Sequence, residues 1–526
     1  MDRNEMLTGK SMAQILFSHA RSRPQHLCVA DPDEAMTYGQ MALRIREKAH
    51  ALEQLGIRAG DFVVAVCAQR GDYLALEFAV QELGAVFVPV EKRIPREALE
   101  RVCRIVHPAL VVHRPDLESG SIEPAGADVT KMDPLVSAGE AETQPPGAAG
   151  QLQMQLSAPN GENEAIATIL FTTGTTGASK GIMISHRAEV AVAQNVFYGT
   201  AMEEDTVELI PTPINHSYGL RHCFGLLLGG RSIVLCDGVT MAEDFFTMID
   251  RYQVNALSLT PAMVNILLHL TGERLGSYAG RIRYLQLGTA GVDGTMKDTL
   301  RRLLPESRLY QYYSSTEAGC ACIFDFREDT SKRRVGRPAV NSTFTVLDDH
   351  GNEMRSDAAH WGYLACKGPM NMSGYYQDPL LTQKTVIRGY VRSGDLGYLD
   401  EEGYVCFVAR EGDVINCGGN KIAPEEVEAE AMRFGNLREC ALCAKEDAVL
   451  GQVPWLFIVP EEGAFCADCD SGALLRFLSG RLERYKVPVR VVTVRRLPRN
   501  ALGKLMRGRC MELVDESVTV NGTVNR

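Results

Sequence analysis

The segment "FTTGTTGASKG", residues 171–181, follows the apolar run "AIATIL" and combines glycines, hydroxyl side chains and the single ammonium group of Lys180. Glycines in such a turn let backbone N–H groups approach an anion, hydroxyls donate to its oxygens, and lysine neutralises its charge. The segment therefore predicts a phosphate-binding loop after a strand. A P-loop NTPase is disfavoured, because Lys180 is followed by Gly181 and the glycine spacing differs.

The composition sets the broad class of the protein. A chain of 526 residues is too long for one compact core, so two or more domains are expected. Its 45% hydrophobic and 23% charged content is typical of a soluble globular protein, and the net charge of −11 disfavours nucleic acid as the main partner. The sequence contains no apolar run long enough to cross a bilayer, and its first residues lack a secretory leader. A cytoplasmic location is therefore expected.

Fifteen cysteines require an interpretation, and two CxxC pairs among them resemble a zinc framework. The pairs are Cys440 with Cys443, and Cys466 with Cys469. However, "ECALCAKED" reads as a short strand, in which residues three apart point to opposite faces. The gap between the pairs is also too long, so zinc is disfavoured and most cysteines are expected to be small buried hydrophobes.

The order of apolar runs predicts an α/β fold. The runs "FVVAVCA" and "AVFVPV" read as buried strands, and "YLALEFAVQEL" and "REALERVCRIV" as helices with apolar residues at helical spacing. This alternation is typical of a mostly parallel sheet with helices on its faces. Residues 114–163 are rich in glycine, proline and polar residues and predict a surface excursion.

The second half of the chain shows a different pattern of predicted secondary structure. The run "TPAMVNILLHL" predicts a helix with Thr260 as N-cap and Pro261 in its first position. From about 340 to 408, short strands with Gly and Asp turns predict a β-rich subdomain. After 410, helices are predicted at "APEEVEAEAMRF" and "SGALLRFLSGRLERY". We therefore predict a large domain over 1–409 and a small one over 410–526.

Beyond its general chemistry, "TTGTTGASKG" is similar to the phosphate loop of the adenylate-forming superfamily. That superfamily contains acyl- and aryl-CoA synthetases, peptide-synthetase adenylation domains and firefly-type luciferases. Further segments resemble its signatures in family order, from "MTYGQMA" near 36 to "LGKLMRG" near 502. The resemblance implies doubly wound αβ subdomains and a β-rich subdomain in the large domain, followed by a small mobile α+β domain.

The resemblance assigns the phosphate loop and the residues around the nucleotide. In "QYYSSTEAG", it implies that Tyr313 stacks on adenine, Glu317 holds Mg²⁺ and Thr316 lies near the α-phosphate, while Ser314 stands where the family usually has Gly. The residues implied to bind the β- and γ-phosphates are Thr172, Thr173, Gly174, Thr175, Thr176, Gly177, Ser179 and Lys180.

Two later segments complete the nucleotide and thiol sites that the resemblance implies. In "YVRSGDLGYL", Asp395 would accept hydrogen bonds from both ribose hydroxyls. Arg410 would touch the ribose or phosphate, and Gly418 and Gly419 would line the path of a pantetheine arm. Gly412 occupies the hinge position, where the family usually has Asp or Lys, and glycine can absorb the backbone rotation of a hinge.

The remaining signature, "LPRNALGKLMRG", carries Lys504. In the family this lysine bridges the attacking carboxylate and the α-phosphate and stabilises charge as it develops. Each residue type named so far is also common in turns or on surfaces when it occurs alone. The assignment therefore depends on their joint occurrence in family order.

The segment "PTPINHSYGLRHCFG", residues 211–225, resembles the acid-binding segment of acyl- and aryl-CoA ligases. Asn215 stands where peptide synthetases place an Asp for the α-amino group, which disfavours α-amino acids, and His216 is implied to lie beside the substrate carboxylate. We also expect Arg221 or His222 to meet a second polar group on the acid. The candidate wall residues are Tyr218, His222, Gly288, Ala290 and Gly291.

The function implied is ATP- and Mg²⁺-dependent activation of a small carboxylic acid to an acyl-adenylate, followed by transfer to coenzyme A. A stand-alone adenylation enzyme that loads the phosphopantetheine of a separate acyl carrier protein is the alternative, since both use a pantetheine thiol. A luciferase-like oxygenase is a weaker third possibility. A nucleotide-binding regulatory protein without catalysis is supported only by the departures at Ser314 and Gly412.

Overall fold

The computed structural model of the chain describes residues 10–66, 68–112, 164–173, 179–292, 294–327, 329, 331, 333–461, 467–499 and 505–514. The chain forms two compact units. The first consists of Met1–Phe344 and Cys366–Arg392, and the second of Thr345–Ala365 and Ser393–Arg526. The excursion predicted at 114–163 lies outside the described residues.

The described helices and strands are numbered in chain order. The helices are α1 (Met12–Ser22), α2 (Tyr38–Gln54), α3 (Gly71–Glu82), α4 (Arg96–Val106), α5 (His186–Gly199), α6 (Ser217–Gly229), α7 (Ala242–Arg251), α8 (Pro261–Thr271), α9 (Gly294–Leu303), α10 (Pro379–Thr385), α11 (Pro424–Met432) and α12 (Ala467–Ser479). The strands of the first half are β1 (Leu27–Ala30), β2 (Ala35–Thr37), β3 (Phe62–Val66), β4 (Val86–Val90), β5 (Leu110–Val112), β6 (Ile166–Thr173), β7 (Ser179–Ser185), β8 (Val207–Ile210), β9 (Ser232–Leu235) and β10 (Ala256–Leu259). Those of the second half are β11 (Tyr284–Leu287), β12 (Arg308–Ser315), β13 (Gly319–Asp325), β14 (Arg334–Pro338), β15 (Thr343–Leu347), β16 (Gly362–Lys367), β17 (Gly374–Tyr375), β18 (Val386–Ile387), β19 (Tyr390–Leu399), β20 (Val405–Arg410), β21 (Ile415–Cys417), β22 (Asn420–Ile422), β23 (Leu437–Asp447), β24 (Gly451–Pro460) and β25 (Arg490–Thr493).

The first unit contains two sheets. One has the strand order β14-β13-β12-β11-β10-β8-β9-β1-β2, with parallel pairing from β12 through to β1. The other has the order β17-β7-β6-β4-β3-β5, in which β6, β4, β3 and β5 are parallel neighbours. Parallel strands joined by helices are the predicted α/β architecture, so the predicted fold class is confirmed.

Helices α3, α5 and α6 form the centre of the first unit, because they carry buried residues around nearly their whole circumference. A helix that is buried on all sides must be covered on every face. Phe78 of α3 and Phe224 of α6 contact each other at a ring-centroid distance of 6.2 Å within the main hydrophobic core. These helices also bring polar side chains into the interior, and the site is built from several of them.

The second unit contains short strands and then a separate small α/β body. Strands β15, β16, β19 and β20 pair in that order, in the region predicted to be β-rich. The body that follows has the order β22-β21-β24-β23, with β25 parallel to β24 and with α11 and α12 supplying its core. Cys440 and Cys443 lie on β23, as the strand prediction required. Of their predicted counterparts, Cys466 and the side chain of Cys469 lie outside the described part.

Local signals explain most element boundaries, with one correction. Thr260 caps α8 by accepting a hydrogen bond from the Met263 amide, and Pro261 takes the first helical position, as predicted. The helix predicted over 471–485 instead spans Ala467–Ser479. Gly480 follows its last residue, and glycine disfavours helix continuation. Within the described ranges, no helix is long and apolar enough to cross a membrane.

Candidate active site

The predicted phosphate loop connects two antiparallel strands, β6 and β7. Thr172 is the pairing partner of Lys180 in this hairpin, and both side chains are half-buried. Thr173, the last residue of β6, pairs with Ser179, the first residue of β7, although only their backbone is described. The residues predicted to form the loop itself, Gly174, Thr175, Thr176 and Gly177, lie outside the described residues. The structure therefore places the two strands that lead into the loop and out of it.

A tyrosine that the sequence did not indicate links two predicted site residues. Strand β17 pairs with β7 and sets Tyr375 opposite Ile182. The Tyr375 hydroxyl donates a hydrogen bond of 2.9 Å to Glu317 Oε1, and the Lys180 ammonium lies 5.8 Å from the centre of the Tyr375 ring. Burial and the neighbouring carboxylate raise the pKa of Tyr375, so its hydroxyl remains a donor. Tyr375 is 58 residues from Glu317 in the sequence, and no local pattern connects them.

The turn between β12 and β13 holds Thr316 beside the start of α6. The hydroxyl oxygens of Ser217 and Thr316 are 3.1 Å apart. The Ala318 amide donates to Ser315 Oγ at 2.9 Å, and Arg221 Nη2 donates to the Ser315 carbonyl. Three neighbouring contacts thus fix the backbone on which Thr316 and Glu317 sit.

Tyr313, predicted to stack on adenine, lies on β12 and is half-buried. Its ring centroid is 6.3 Å from that of Phe344. The β12–β13 register shifts between Tyr313 and Ser314, so the serine found in place of the family's glycine lies at an irregularity of the ladder. Ser314 pairs with Cys320 on β13, and its tolerance in place of the family's glycine stays a prediction.

His216 is the residue immediately before α6, in an extended N-cap conformation. Burial lowers the pKa of its imidazole, although Glu91 opposes the shift. The imidazole is therefore neutral at pH 7, and its N–H can donate a hydrogen bond to a carboxylate. Asn215, the residue that disfavoured an amino acid substrate, is buried beside it.

Tyr218 and Gly288, two predicted wall residues, are packed directly against each other. A Cβ atom added at Gly288 would lie only 2.1 Å from Tyr218 Cε2, so the ring needs a glycine at this position. The Tyr218 hydroxyl donates to the carbonyls of Leu259 and Gln286 at 3.2 and 3.3 Å. The ring is therefore held firmly between α6 and the ends of β10 and β11.

The loop after β11 carries two further predicted wall residues. Ala290 and Gly291 are exposed. Thr289, which precedes them, has a φ of 73°, a left-handed conformation that β-branched residues rarely adopt. Such strain persists only where the surroundings impose it and is commonly found at functional sites.

His222 belongs to a closed polar cluster with Glu208. Its Nδ1 lies 3.4 Å from Glu208 Oε1. The Glu208 carboxylate accepts hydrogen bonds from Tyr284 at 2.7 Å and Gln286 at 3.0 Å, and also from Ser258. Burial lowers the pKa of His222 to about 3 and raises that of Glu208 to about 7. His222 is thus neutral and directed at Glu208, whereas its neighbour Arg221 is directed at Ser315.

The predicted ribose ligands lie together in the second unit. Asp395 on β19 is the ladder partner of Arg410 on β20, and Arg410 Nε lies 3.0 Å from Asp395 Oδ1. The Asp395 side chain is 14% exposed, and that of Arg410 is 46% exposed. The ion pair holds the carboxylate in one orientation, which a group that binds two adjacent hydroxyls requires.

The predicted pantetheine glycines form the turn of the β21–β22 hairpin. Gly418 and Gly419 have φ values of 57° and 85°, as a two-residue turn with positive φ at both positions requires. The hairpin alone therefore accounts for these glycines, and their role toward a thiol stays a prediction. Gly412 lies in a turn closed by the Val414 amide on the Arg410 carbonyl, inside the second unit, and its role as a hinge also stays a prediction.

Lys504 lies outside the described residues, but the segment that follows it is well anchored. Arg507 forms ion pairs with Glu428, with Glu425 at 3.2 Å and with Asp413 at 3.4 Å. Its side chain is 13% exposed. Three carboxylates around one partly buried guanidinium fix the start of the 3₁₀ helix Arg507–Val514 within the second unit.

Comparison with known proteins gives consistent relatives over nearly the whole chain. The chain is 27% identical over 492 residues to a feruloyl-CoA synthase of an Amycolatopsis species, and the match covers 93% of this chain and 96% of that protein. It is 26% identical over 521 residues to indoleacetate–CoA ligase of Aromatoleum aromaticum, covering 96% and 98% of the two chains.

Solved structures give the same fold. ATP-bound MatB from Rhodopseudomonas palustris superimposes with a TM-score of 0.79 at 23% identity, over 95% of this chain and 98% of that one. The O-succinylbenzoate coenzyme A synthetase MenE of Bacillus subtilis, in complex with ATP and magnesium ion, gives a TM-score of 0.75 at 22% identity, over 94% and 99%. At this level of identity the likeness concerns the fold.

Two family models match the chain. Residues 16–376 match the AMP-binding enzyme family, and residues 426–504 match the AMP-binding enzyme C-terminal domain. The first match alone covers more than half of the 526 residues. The chain therefore belongs to the AMP-binding enzyme family, which confirms the adenylate-forming resemblance of its motifs.

Proposed function

We propose that this protein uses ATP to convert a small carboxylic acid into an acyl-adenylate and then transfers the acyl group to the thiol of coenzyme A. The observation that carries the proposal is the position of Tyr375, which hydrogen-bonds Glu317 while its ring lies next to Lys180. This arrangement brings a carboxylate and an ammonium group together beside the phosphate-loop hairpin. The relatives named as CoA ligases support the same reaction.

The residues present suit a magnesium ion bound to triphosphate. Glu317 offers carboxylate oxygens, the hard ligands that Mg²⁺ prefers, and Tyr375 fixes their direction. A bound Mg²⁺ would neutralise charge on the phosphate oxygens. Lys180 supplies a second positive charge on the same side, so Glu317 and Lys180 together are suited to orient the polyphosphate.

In the first half-reaction, a carboxylate oxygen of the acid attacks the α-phosphorus of ATP. The new P–O bond forms as the bond to the β-phosphate oxygen breaks, and pyrophosphate leaves. Thr316, whose hydroxyl contacts that of Ser217, would donate to an α-phosphate oxygen, and neutral His216 would bind the acid carboxylate. Lys504 would stabilise the charge that develops between the two reactants.

In the second half-reaction, the sulfur of the thiol attacks the acyl carbon, the thiol proton is released, and AMP leaves. The mixed anhydride makes this step feasible, because AMP is a far better leaving group than the oxide of a free carboxylate. Asp395 and Arg410 are suited to hold the ribose through both steps, because their ion pair fixes the carboxylate. Gly418 and Gly419 leave room beside the proposed thiol path.

The test of the first half-reaction is acid-dependent exchange of labelled pyrophosphate into ATP. Aliphatic, aryl and amino acids are screened with the full-length protein in the presence of Mg²⁺. We expect exchange with carboxylic acids that lack an α-amino group. An absence of exchange with every acid, together with retained nucleotide binding, would instead identify a nucleotide-binding protein without catalysis.

Lys504→Ala separates the two half-reactions. We expect the variant to lose pyrophosphate exchange by about 100-fold or more, as happens when one group that stabilises developing charge is removed. It should still convert supplied acyl-adenylate into thioester at close to the normal rate. If both half-reactions survive unchanged, Lys504 has been assigned the wrong role.

A separate acyl carrier protein is a second candidate acceptor, because its phosphopantetheine ends in the same thiol as coenzyme A. Product formation is therefore compared with coenzyme A and with a holo-carrier protein at equal thiol concentrations. We expect coenzyme A to be the better acceptor, in keeping with the named relatives. A clear preference for the carrier would assign the protein to carrier loading.

A further inference from the structure

A small cavity with a largely apolar surface lies next to the contact between Ser217 and Thr316 in the first unit. Its volume is about 30 Å³, and its polar lining consists of Thr168, Glu189, Ser217, Arg221 and Thr316. The rest of the lining is apolar. A space of this size holds a water molecule or a small polar group. The cavity is therefore lined by Thr316, which we propose to contact the α-phosphate, and by Ser217, the residue after His216.

Arg221 brings a positive charge to this cavity. Its side chain is buried, with 7% exposure for the residue, and Nη2 donates to the Ser315 carbonyl. In the described part of the chain, no carboxylate forms an ion pair with it. A guanidinium has five N–H donors, so one backbone bond leaves most of them available. Burial lowers the pKa of Arg221 to about 10, which still leaves it protonated at neutral pH.

The other ionisable group of the cavity does not neutralise Arg221. Glu189 accepts hydrogen bonds from Thr168 Oγ1 at 2.8 Å and from Gln81 Nε2 at 3.1 Å. Burial raises the pKa of Glu189 to about 8, so its carboxyl is mostly protonated at pH 7. The cavity thus presents a guanidinium and hydroxyl groups, and such a set is complementary to an anionic oxygen group.

Glu317 favours the charged form of Arg221 from beyond ion-pair distance, and a buried cation that is compensated only this weakly is costly to keep. Removing a charge from water requires compensation by a counter-ion or by several hydrogen bonds. The single bond to the Ser315 carbonyl provides only part of this compensation. A ligand that brought a carboxylate into the cavity would supply the rest.

We propose that Arg221 binds a second carboxylate of the acid substrate, so that the preferred substrates are short dicarboxylic acids. This inference rests on the proposed function, because Thr316 marks the end of the cavity where the first carboxylate would react. The acid must be short, since the guanidinium contacts Ser315, whose Cα is only about 3.8 Å from that of Thr316. The small volume of the cavity sets the same limit.

The geometry also distinguishes Arg221 from His222, the other polar residue expected to meet the acid. The two are adjacent on α6 and therefore point in different directions. His222 is directed at Glu208 and is absent from the cavity lining. Arg221 is therefore the specificity-determining residue of the pair. A guanidinium can form two parallel hydrogen bonds to a carboxylate, which a monocarboxylic acid of equal length cannot use.

The experiment compares matched acids with the full-length protein in the pyrophosphate exchange assay. Malonate, succinate and glutarate are set against propionate, butyrate and pentanoate, which have the same chain lengths. We expect the best dicarboxylic acid to exceed its monocarboxylic counterpart about 100-fold in kcat/KM, the range expected for a charge-assisted pair.

Three variants connect this preference to the guanidinium. Arg221→Met also removes the contact with the Ser315 carbonyl, which affects all acids alike, so the test is the ratio: KM for the preferred dicarboxylic acid should rise about 100-fold more than KM for the matched monocarboxylic acid. Arg221→Lys keeps the charge without the planar fork and should recover part of the preference. The control is Arg251→Met, which removes an exposed arginine of α7 and makes the same change in net charge. It should leave the preference intact.

Three results would overturn the inference. The first is exchange with monocarboxylic acids at equal or higher kcat/KM in the unmodified protein. The second is a uniform loss with all acids and a raised KM for ATP in Arg221→Met, because this would assign Arg221 to positioning the Thr316 turn. If that variant does not fold, Arg221→Lys and the comparison of acids still decide. The third is an absence of exchange with every acid, which removes the proposed function as well.

Discussion

At the scale of single residues, a hydrogen bond directs the carboxylate of Glu317, the residue that we propose to hold Mg²⁺. Glu317 accepts a hydrogen bond from Tyr375, whose partner strand β7 also carries Lys180. Groups that orient a metal ligand typically change metal affinity when they are removed. Tyr375 is thus a positioning residue, and its loss should affect magnesium more than the acid.

We predict that Tyr375→Phe raises the Mg²⁺ concentration needed for half-maximal pyrophosphate exchange about tenfold. The ring and its packing remain, while the hydroxyl that directs Glu317 is removed. The measurement is exchange rate against free Mg²⁺ at saturating ATP and acid. KM for the acid should change little, because Tyr375 does not contact the predicted acid pocket.

The neighbouring tyrosine provides a matched control. Tyr376 is buried against Phe62, at a ring-centroid distance of 5.4 Å, and its hydroxyl makes no hydrogen bond of standard geometry to a described residue. Tyr376→Phe therefore removes a hydroxyl of the same kind without touching Glu317. Equal shifts in magnesium dependence for both variants would contradict the positioning role of Tyr375.

At the scale of secondary-structure elements, the β21–β22 hairpin separates two explanations of its glycines. Gly419 has a φ of 85°, and a Cβ atom there would meet nothing within 4 Å. We predict that Gly419→Val lowers the free energy of unfolding by about 1–3 kcal/mol through backbone strain. Gly419→Asn should cost less than about 1 kcal/mol, because Asn adopts such turn conformations. Urea denaturation measures both.

The asparagine variant then tests the thiol path. With the hairpin intact, pyrophosphate exchange should be unchanged, while transfer from supplied acyl-adenylate to coenzyme A should fall about tenfold or more, since misplacing a reacting group is costly. The control is Gly403→Asn, at an exposed turn glycine with a φ of 79° and open space around it. Thioester formation that is normal in both variants would leave the hairpin glycines with a structural role alone.

The helices and strands were predictable from the sequence where neighbouring residues alone determine their bounds. Helix α4 matches its predicted span, and α8 begins at the Thr260 cap that precedes Pro261. The end of α12 was missed because apolar spacing continues past Gly480, where the helix stops. The spacing of apolar residues indicates which face of a helix is buried, whereas the end of the helix also depends on the helix propensity of each residue. The β-rich region was recognised from its turns, although strand order depends on contacts distant in sequence.

At the scale of the whole molecule, motif order was sufficient to predict the family, and the match over residues 16–376 confirms it. The side-chain directions that give the site its chemistry were not predictable. Arg221 and His222 looked equivalent in the sequence, yet one contacts Ser315 and the other Glu208. Tyr375 gave no signal at all, because the antiparallel pairing of β17 with β7 brings it to Glu317 from a distant part of the chain.

The packing of the first unit also buries acidic side chains, among them Glu77, Glu189 and Glu208. Glu208 is fully buried, and burial raises its pKa from 4.5 to about 7. The native state therefore binds a proton at the Glu208 carboxyl more tightly than the unfolded chain does. Its contribution to stability is complete below pH 4.5 and is lost as the pH rises through about 7.

We predict that Glu208→Gln removes this pH dependence. Because one pKa unit corresponds to about 1.4 kcal/mol, the free energy of unfolding of the natural protein should fall relative to the variant by about 3 kcal/mol between pH 4.5 and 7. Above pH 8 the difference in the free energy of unfolding between the natural protein and the variant should be constant. Urea unfolding at closely spaced pH values measures it, with Glu306→Gln as a control at an exposed carboxylate of the same unit. Identical pH profiles for the two substitutions would contradict the account, because removing a buried acid would then have no more effect on the proton balance of folding than removing an exposed one.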